Sequence, residues 1–134
     1  MPETVVVADM EAGLEHLSWA GGTLRHVDLL LVVAQPTAKV LLTAARTHRL
    51  AIDLGIPRIA LVANRAAQED RKRLEGFAHE RDLEVLAWIP EDAAVMRADK
   101  AGRCLLDAEP DAPSVAAIGA LATVLEAELL APRP

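Results

Sequence analysis

Four places in this sequence put polar chemistry at the end of an apolar run. Val5-Val6-Val7-Ala8 ends in Asp9, with Gly13 four residues later. Arg58-Ile59-Ala60-Leu61-Val62-Ala63 ends in Asn64-Arg65, and Glu84 to Ile89 ends in Pro90-Glu91-Asp92. Val27 to Ala34 ends in Gln35-Pro36. A β-branched run without polar alternation predicts a strand buried on both faces. A carboxylate at its C-terminal end then projects from the sheet edge where open α/β folds bind ligands. Gly13 lets the backbone turn sharply or approach a ligand closely. The amide of Asn64 offers a donor and an acceptor side by side, which suits the edge of adenine, although Asn is equally a turn former. Arg65 has two roles open to it, stacking on a base or plain solvation. Glu91 and Asp92 suit the start of a helix on dipole grounds alone.

These residues need elements to hold them. Strands are expected over 5–8, 27–34, 58–63 and 84–89, with helices over 14–20, 38–54, 68–81, 91–98 and from Ser114 to about Leu129. Thr37 is the expected N-cap of the second helix and Gly55 its stop. The buried stripe of that helix reads as Val40, Ala44, Thr47, Ala51 and Leu54, with Arg46, Arg49 and Asp53 outward. Leu74, Phe77 and Ala78 face inward on the next helix. The last helix presents Val115, Ile118, Leu121, Ala122, Leu125 and Leu129, capped by Ser114, and Gly119 within it marks close packing or tolerance. Residues 107–113 read as a loop. Strand and helix alternate throughout, which predicts an α/β fold with a parallel sheet of about four strands and flanking helices.

Composition narrows the function. The 134 residues make one domain, 52% hydrophobic, 2% aromatic and 25% charged, so the core is aliphatic. A net charge of −6 and so few aromatics argue against a nucleic-acid surface. The lone Cys104 excludes an internal disulfide and suits a reducing cytoplasm; packing is its expected role. No apolar run is long enough to span a membrane, and the end of the chain, Ala-Pro-Arg-Pro, is no basic amphipathic tail. His16, His26, His48 and His79 show no zinc-type spacing with Cys104 or with each other. His48 and His79 are expected near the surface.

The wording Asp9-Met10-Glu11-Ala12-Gly13-Leu14-Glu15-His16 resembles the Walker B and switch II segment of MinD/ParA-type P-loop ATPases. Asn64-Arg65 and Ile89-Pro90-Glu91-Asp92 through Asp99 resemble later motifs of the same group. Its nearest branch is the CooC type, ATPases that assist nickel insertion into carbon monoxide dehydrogenase. The resemblance implies ATP/ADP and Mg²⁺ as cofactors. Asp9 would hold Mg²⁺ through water, Gly13 would lie beside the γ-phosphate, and Asn64 with the Pro90-Glu91 backbone would hold adenine. It implies dimer-coupled work on a metalloenzyme client, with no catalytic residue assigned here.

Two departures qualify it. None of the seven glycines precedes a lysine, so the Gly-Lys turn that cradles phosphates is missing. The Cys-x-Cys pair of the CooC type is missing too. The resemblance therefore covers the C-terminal half of the family. Residues 1–134 read as a single partial nucleotide-binding domain lacking the P-loop strand, which would lie upstream of Met1. Two apolar strand edges would then face a gap, and self-association or pairing with an upstream N-terminal half is expected. A non-hydrolysing binding or dimerisation module derived from that fold is the alternative. A flavodoxin-like or receiver-like domain fits less well, because the fourth strand ends in Ile-Pro where a receiver wants a lysine.

Overall fold

The computed structural model describes residues 4–10, 24 and 26–130. Three strands form one parallel sheet, β1 (Leu30–Ala34), β2 (Ile59–Ala63) and β3 (Glu84–Trp88), in the order β1-β2-β3. Among the described residues five helices accompany them: α1 (Ala38–Asp53), α2 (Arg71–Glu80), α3 (Ala93–Lys100), α4 (Leu105–Ala108) and α5 (Pro113–Leu129). A short 3₁₀ turn, Gln68–Asp70, leads into α2, closed by the Ala67 N–H donating to Asp70 Oδ2 at 3.1 Å.

The parallel α/β architecture is as expected, and its core follows from strand alternation. Val32 and Ala34 of β1 stand beside Leu61 and Ala63 of β2. They are buried with Leu41 and Ala44 of α1 and with Leu74 and Ala78 of α2. Both crossover helices thus share one face, the result of two right-handed connections made in the same direction. The buried residues of α1 are Leu41, Ala44 and Ala51, so the stripe lies one position off the Val40 reading, and Val40, Thr47 and Leu54 are half-buried. A second cluster, Leu24, Ala51 and Ile56, closes the lower end of α1. Ala60 and Val62 of β2 and Ala87 of β3 point to the opposite face and are buried there. Helix α5 runs along β3 on that side. Its Glu128 accepts from Arg58, which also reaches Glu84 at 3.0 Å.

The local signals for α1 act as expected. Thr37 accepts from the Val40 N–H at 3.4 Å, and Gly55 leaves the helix at φ 77°. Asn64 continues the ladder beyond β2, its N–H donating to the Ala34 carbonyl at 2.9 Å.

Four expectations need correction. Thr4 to Met10 is not a strand; Val6 and Val7 are 88% and 84% exposed. An apolar run becomes a strand only where a neighbour takes its backbone groups and layers cover its faces, and neither is present among the described residues. Among the described residues three strands therefore stand where about four are expected. Residues 107–113 are partly helical, because α4 forms a single turn before Glu109. Cys104 precedes that turn and is exposed, not packed. Finally, the N-cap of α5 is Ala112, and Ile118 and Ala122 point outward; only Val115, Leu121, Leu125 and Leu129 of the expected stripe are half-buried. Among the described residues nothing stands within 4 Å of a Cβ built at Gly119, which favours tolerance over close packing there.

Candidate functional site at the carboxyl rim of the sheet

The carboxyl ends of β2 and β3 are laced together. The Ile89 N–H donates to the Ala63 carbonyl at 2.8 Å, and the Ala66 N–H donates to the Ile89 carbonyl at 3.1 Å. Between these bonds the chain turns at Arg65, whose φ of 51° is a left-handed conformation that costs a non-glycine residue about 1 kcal/mol or more. The Asn64 Oδ1 supports the turn by accepting from the Arg65 N–H at 3.1 Å. The Asn64 Nδ2 donates to nothing among the described residues, so it remains available to a ring nitrogen, and Oδ1 keeps a second lone pair for an exocyclic amine. Arg65 reaches across to Glu91, Nη2 to Oε1 at 3.1 Å. The structure thus brings together Asn64, Arg65, Pro90 and Glu91, four of the six expected site residues.

Asp9 lies in an exposed, non-regular segment and makes no hydrogen bond or ion pair among the described residues. Gly13 and His16 lie outside the described residues, as does the helix expected over 14–20. No group of three His, Cys, Asp or Glu side chains suited to hold a metal occurs among the described residues. The rim thus leaves a side-chain amide with a free donor and acceptor at the sheet edge, and the described residues supply no glycine-rich turn with a lysine beside it.

Asp92 is the most heavily used carboxylate of the rim. Its Oδ1 accepts from the Ala94 N–H at 2.9 Å and caps α3. Its Oδ2 accepts from both the Ser114 hydroxyl, at 2.7 Å, and the Ser114 N–H, at 3.0 Å. One carboxylate thereby fixes the first turns of α3 and α5. The Ser114 hydroxyl, followed by the two backbone N–H groups, holds its carboxyl below the usual carboxylate range. Ser114 was expected as a cap; it is instead the buried donor to a cap. The acid at a helix start was legible, but no sequence signal links Asp92 to a serine 22 residues away.

A cavity of about 310 Å³ opens beside the rim, between Ala66, Ala67, Gln68 and Arg71 on one side and Trp88, Pro90, Pro113 and Ala117 on the other. The Arg71 guanidinium lies 4.5 Å from the Trp88 ring centre, a cation–π contact between two of the lining residues. This cavity shares only Pro90 with the expected base site, and the sequence did not single out its Arg71–Trp88 pair. A residue at the first turn of one helix and another at a strand end give no pattern that would join them.

Known proteins resemble the chain in two ways. No family model matches it. It is 41% identical over 107 residues to the carbon monoxide dehydrogenase accessory protein CooC of Rhodospirillum rubrum, covering 78% of this chain and 39% of that protein. It is 40% identical over 102 residues to an uncharacterized ATP-binding protein, MJ0823, of Methanocaldococcus jannaschii, covering 75% of the chain and 39% of that relative. Among solved structures, the MinD cell division protein of Aquifex aeolicus superposes with a TM-score of 0.69 at 19% identity over 91% of this chain and 50% of its own. The MinD ATPase of Pyrococcus furiosus superposes with a TM-score of 0.62 at 26% identity, over 78% of this chain and 44% of its own. The chain spans about two-fifths of the length of the curated relatives it matches. These likenesses relate the chain, over the part that matches, to CooC and to the MinD/ParA-type P-loop ATPases.

Proposed function

We propose that this chain is the base-binding part of a CooC-like ATP-binding protein that serves nickel insertion into carbon monoxide dehydrogenase. The observation that carries the reading is the 41% identity to CooC over most of the chain. Asn64 would read the adenine edge, Arg65 would lie against the base, and the Pro90-Glu91 backbone would line its far side. Asp9 would hold Mg²⁺ through water and Gly13 would lie beside the γ-phosphate. Mg²⁺ would supply charge neutralisation at the phosphates. The chain's own task is to bind and orient the base, and alone it does not hydrolyse ATP. The absence of any Gly-Lys pair also favours a second reading, a binding or dimerisation module that retains the fold without hydrolysis.

The test is a titration of the purified chain with a fluorescent ADP analogue. Asn64→Ala is expected to weaken binding about tenfold, the loss of one well-placed hydrogen bond in a shielded site. Equal affinity for the variant and the parent chain would overturn the base site. The cellular role is tested in Rhodospirillum rubrum lacking its accessory protein. The chain, supplied with the rest of the relative's length, should lower the nickel concentration needed for carbon monoxide dehydrogenase activity. An unchanged requirement would overturn it.

A further inference from the structure

Helix α5 is tied down by one polar joint near each end. At the rim, the Ser114 hydroxyl and N–H donate to Asp92 Oδ2 at 2.7 and 3.0 Å. At the far end, Glu128 accepts from Arg58, which also donates to Glu84 at 3.0 Å. Between the joints, α5 has little to fix its setting. Its 17 residues carry only Glu126 and Glu128 as charges, and Ser114 alone among them is buried. Apolar contact has no preferred direction, so it lets a helix slide or roll at small cost. A buried hydroxyl bonded to a carboxylate does not, because a displaced donor is left without its acceptor. The rim joint therefore decides where the first turns of α5 stand.

Pro113 and Ala117 of those turns line the cavity beside the rim, together with Pro90 of the expected base site. Asp92 lies two residues after Pro90, and its Oδ1 caps α3 through the Ala94 N–H at 2.9 Å. One side chain thus ties the Pro90-Glu91 backbone and the starts of α3 and α5 into a single block. We propose that Asp92 and Ser114 are positioning residues for base recognition: their joint holds Pro113 and Ala117 against Pro90 and so sets the gap that a purine must enter. Neither side chain has to touch the base. That role rests on the proposed nucleotide binding. It also makes the site selective. Asn64 Oδ1 is held by the Arg65 N–H, so the amide cannot flip to suit guanine, whose edge reverses adenine's donor and acceptor. A fixed gap keeps the base at the one distance where this mismatch is felt. With the rim end of α5 released, the base can shift, and selectivity falls before the fold is lost.

The experiment titrates the purified chain with ribose-labelled fluorescent ADP and GDP analogues, alongside urea titrations of the same proteins. The parent should prefer the ADP analogue at least about tenfold. Asp92→Asn keeps the cap of α3 but turns an amide NH₂ toward the Ser114 N–H. It should weaken ADP binding about tenfold and GDP binding about twofold, so that the preference nearly vanishes. Ser114→Ala keeps the N–H bond and should cost about threefold in ADP affinity and in preference. Glu128→Ala releases the opposite end of α5 and serves as the control. It should lower stability yet change affinity and preference less than about twofold. Lost stability alone lowers the folded fraction and weakens both analogues alike. A preference unchanged in Asp92→Asn and Ser114→Ala, or lost equally in Glu128→Ala, would overturn the positioning role and leave the base site standing. A parent that binds both analogues equally would overturn it too. A parent that binds neither would overturn the nucleotide reading together with the role built on it.

Discussion

The carboxyl rim of β2 and β3 and the free edge of β1 belong to the same small sheet and are built on opposite plans. At the rim, every turn is fixed by a named bond: Ile89 to Ala63, Ala66 to Ile89, Arg65 to Glu91, and Asp92 to two helix starts at once. At the edge, Leu31 and Val33 turn their backbone groups away from β2, and Val33 lies open. A fully bonded rim stands beside a face that the described residues leave uncovered. The difference separates a surface closed by the chain's own bonds from one that the described residues leave open.

The contrast can be broken by substitution, starting where the effect is largest. Leu61 is fully buried between the crossover helices, so Leu61→Ala should cost about 3 kcal/mol in a urea titration. Asp92→Asn should lower the melting temperature at neutral pH, because it weakens the joint that holds α3 and α5. The sign of its pH dependence is set by the depressed carboxyl. The stabilisation is complete above the ordinary value of 3.8 and is lost as pH falls from there through the lower folded value. The gap between variant and parent should therefore close below about pH 4.

Gly55→Ala should cost about 1 kcal/mol, since φ at that turn is 77° and a Cβ is strained there whatever the space. Arg65→Gly should go the other way. It relieves the left-handed turn and loses only an exposed ion pair, a net gain of a few tenths of a kcal/mol. It should nonetheless weaken nucleotide binding if Arg65 lies against the base. Smallest of all, Val33→Asp should leave the stability of the isolated chain within about 0.5 kcal/mol, because the side chain is 58% exposed. A large loss of stability from Val33→Asp alone would erase the distinction between rim and edge.

Much of the rim was legible because it depends on local rules. An apolar run, then a polar dipeptide and a proline, reports a strand ending at the sheet edge, and Thr37 and Gly55 report the bounds of α1. What escaped depends on contacts far apart in the chain. Asp92 and Ser114 come from different helices. The stripe of α1 slipped to Leu41 because the angle at which a helix meets the sheet decides which of two adjacent apolar residues is buried. Val5 to Ala8 and the outward face of α5 escaped for a shared reason. Hydrophobicity records that a surface is meant to be covered, and periodicity does not say by which polypeptide. α5 is so uniformly apolar that its sequence marks no outer face.

Whether the chain is one part of an ATP-binding protein is tested most directly by Mg²⁺-dependent ATP hydrolysis, measured for the chain alone and mixed with the polypeptide that carries the missing Gly-Lys turn. The chain alone should show no hydrolysis above background, and the mixture should show activity that Asp9→Ala removes. Hydrolysis by the chain alone that Asp9→Ala abolishes would contradict the account, because it would place the phosphate cradle within these 134 residues.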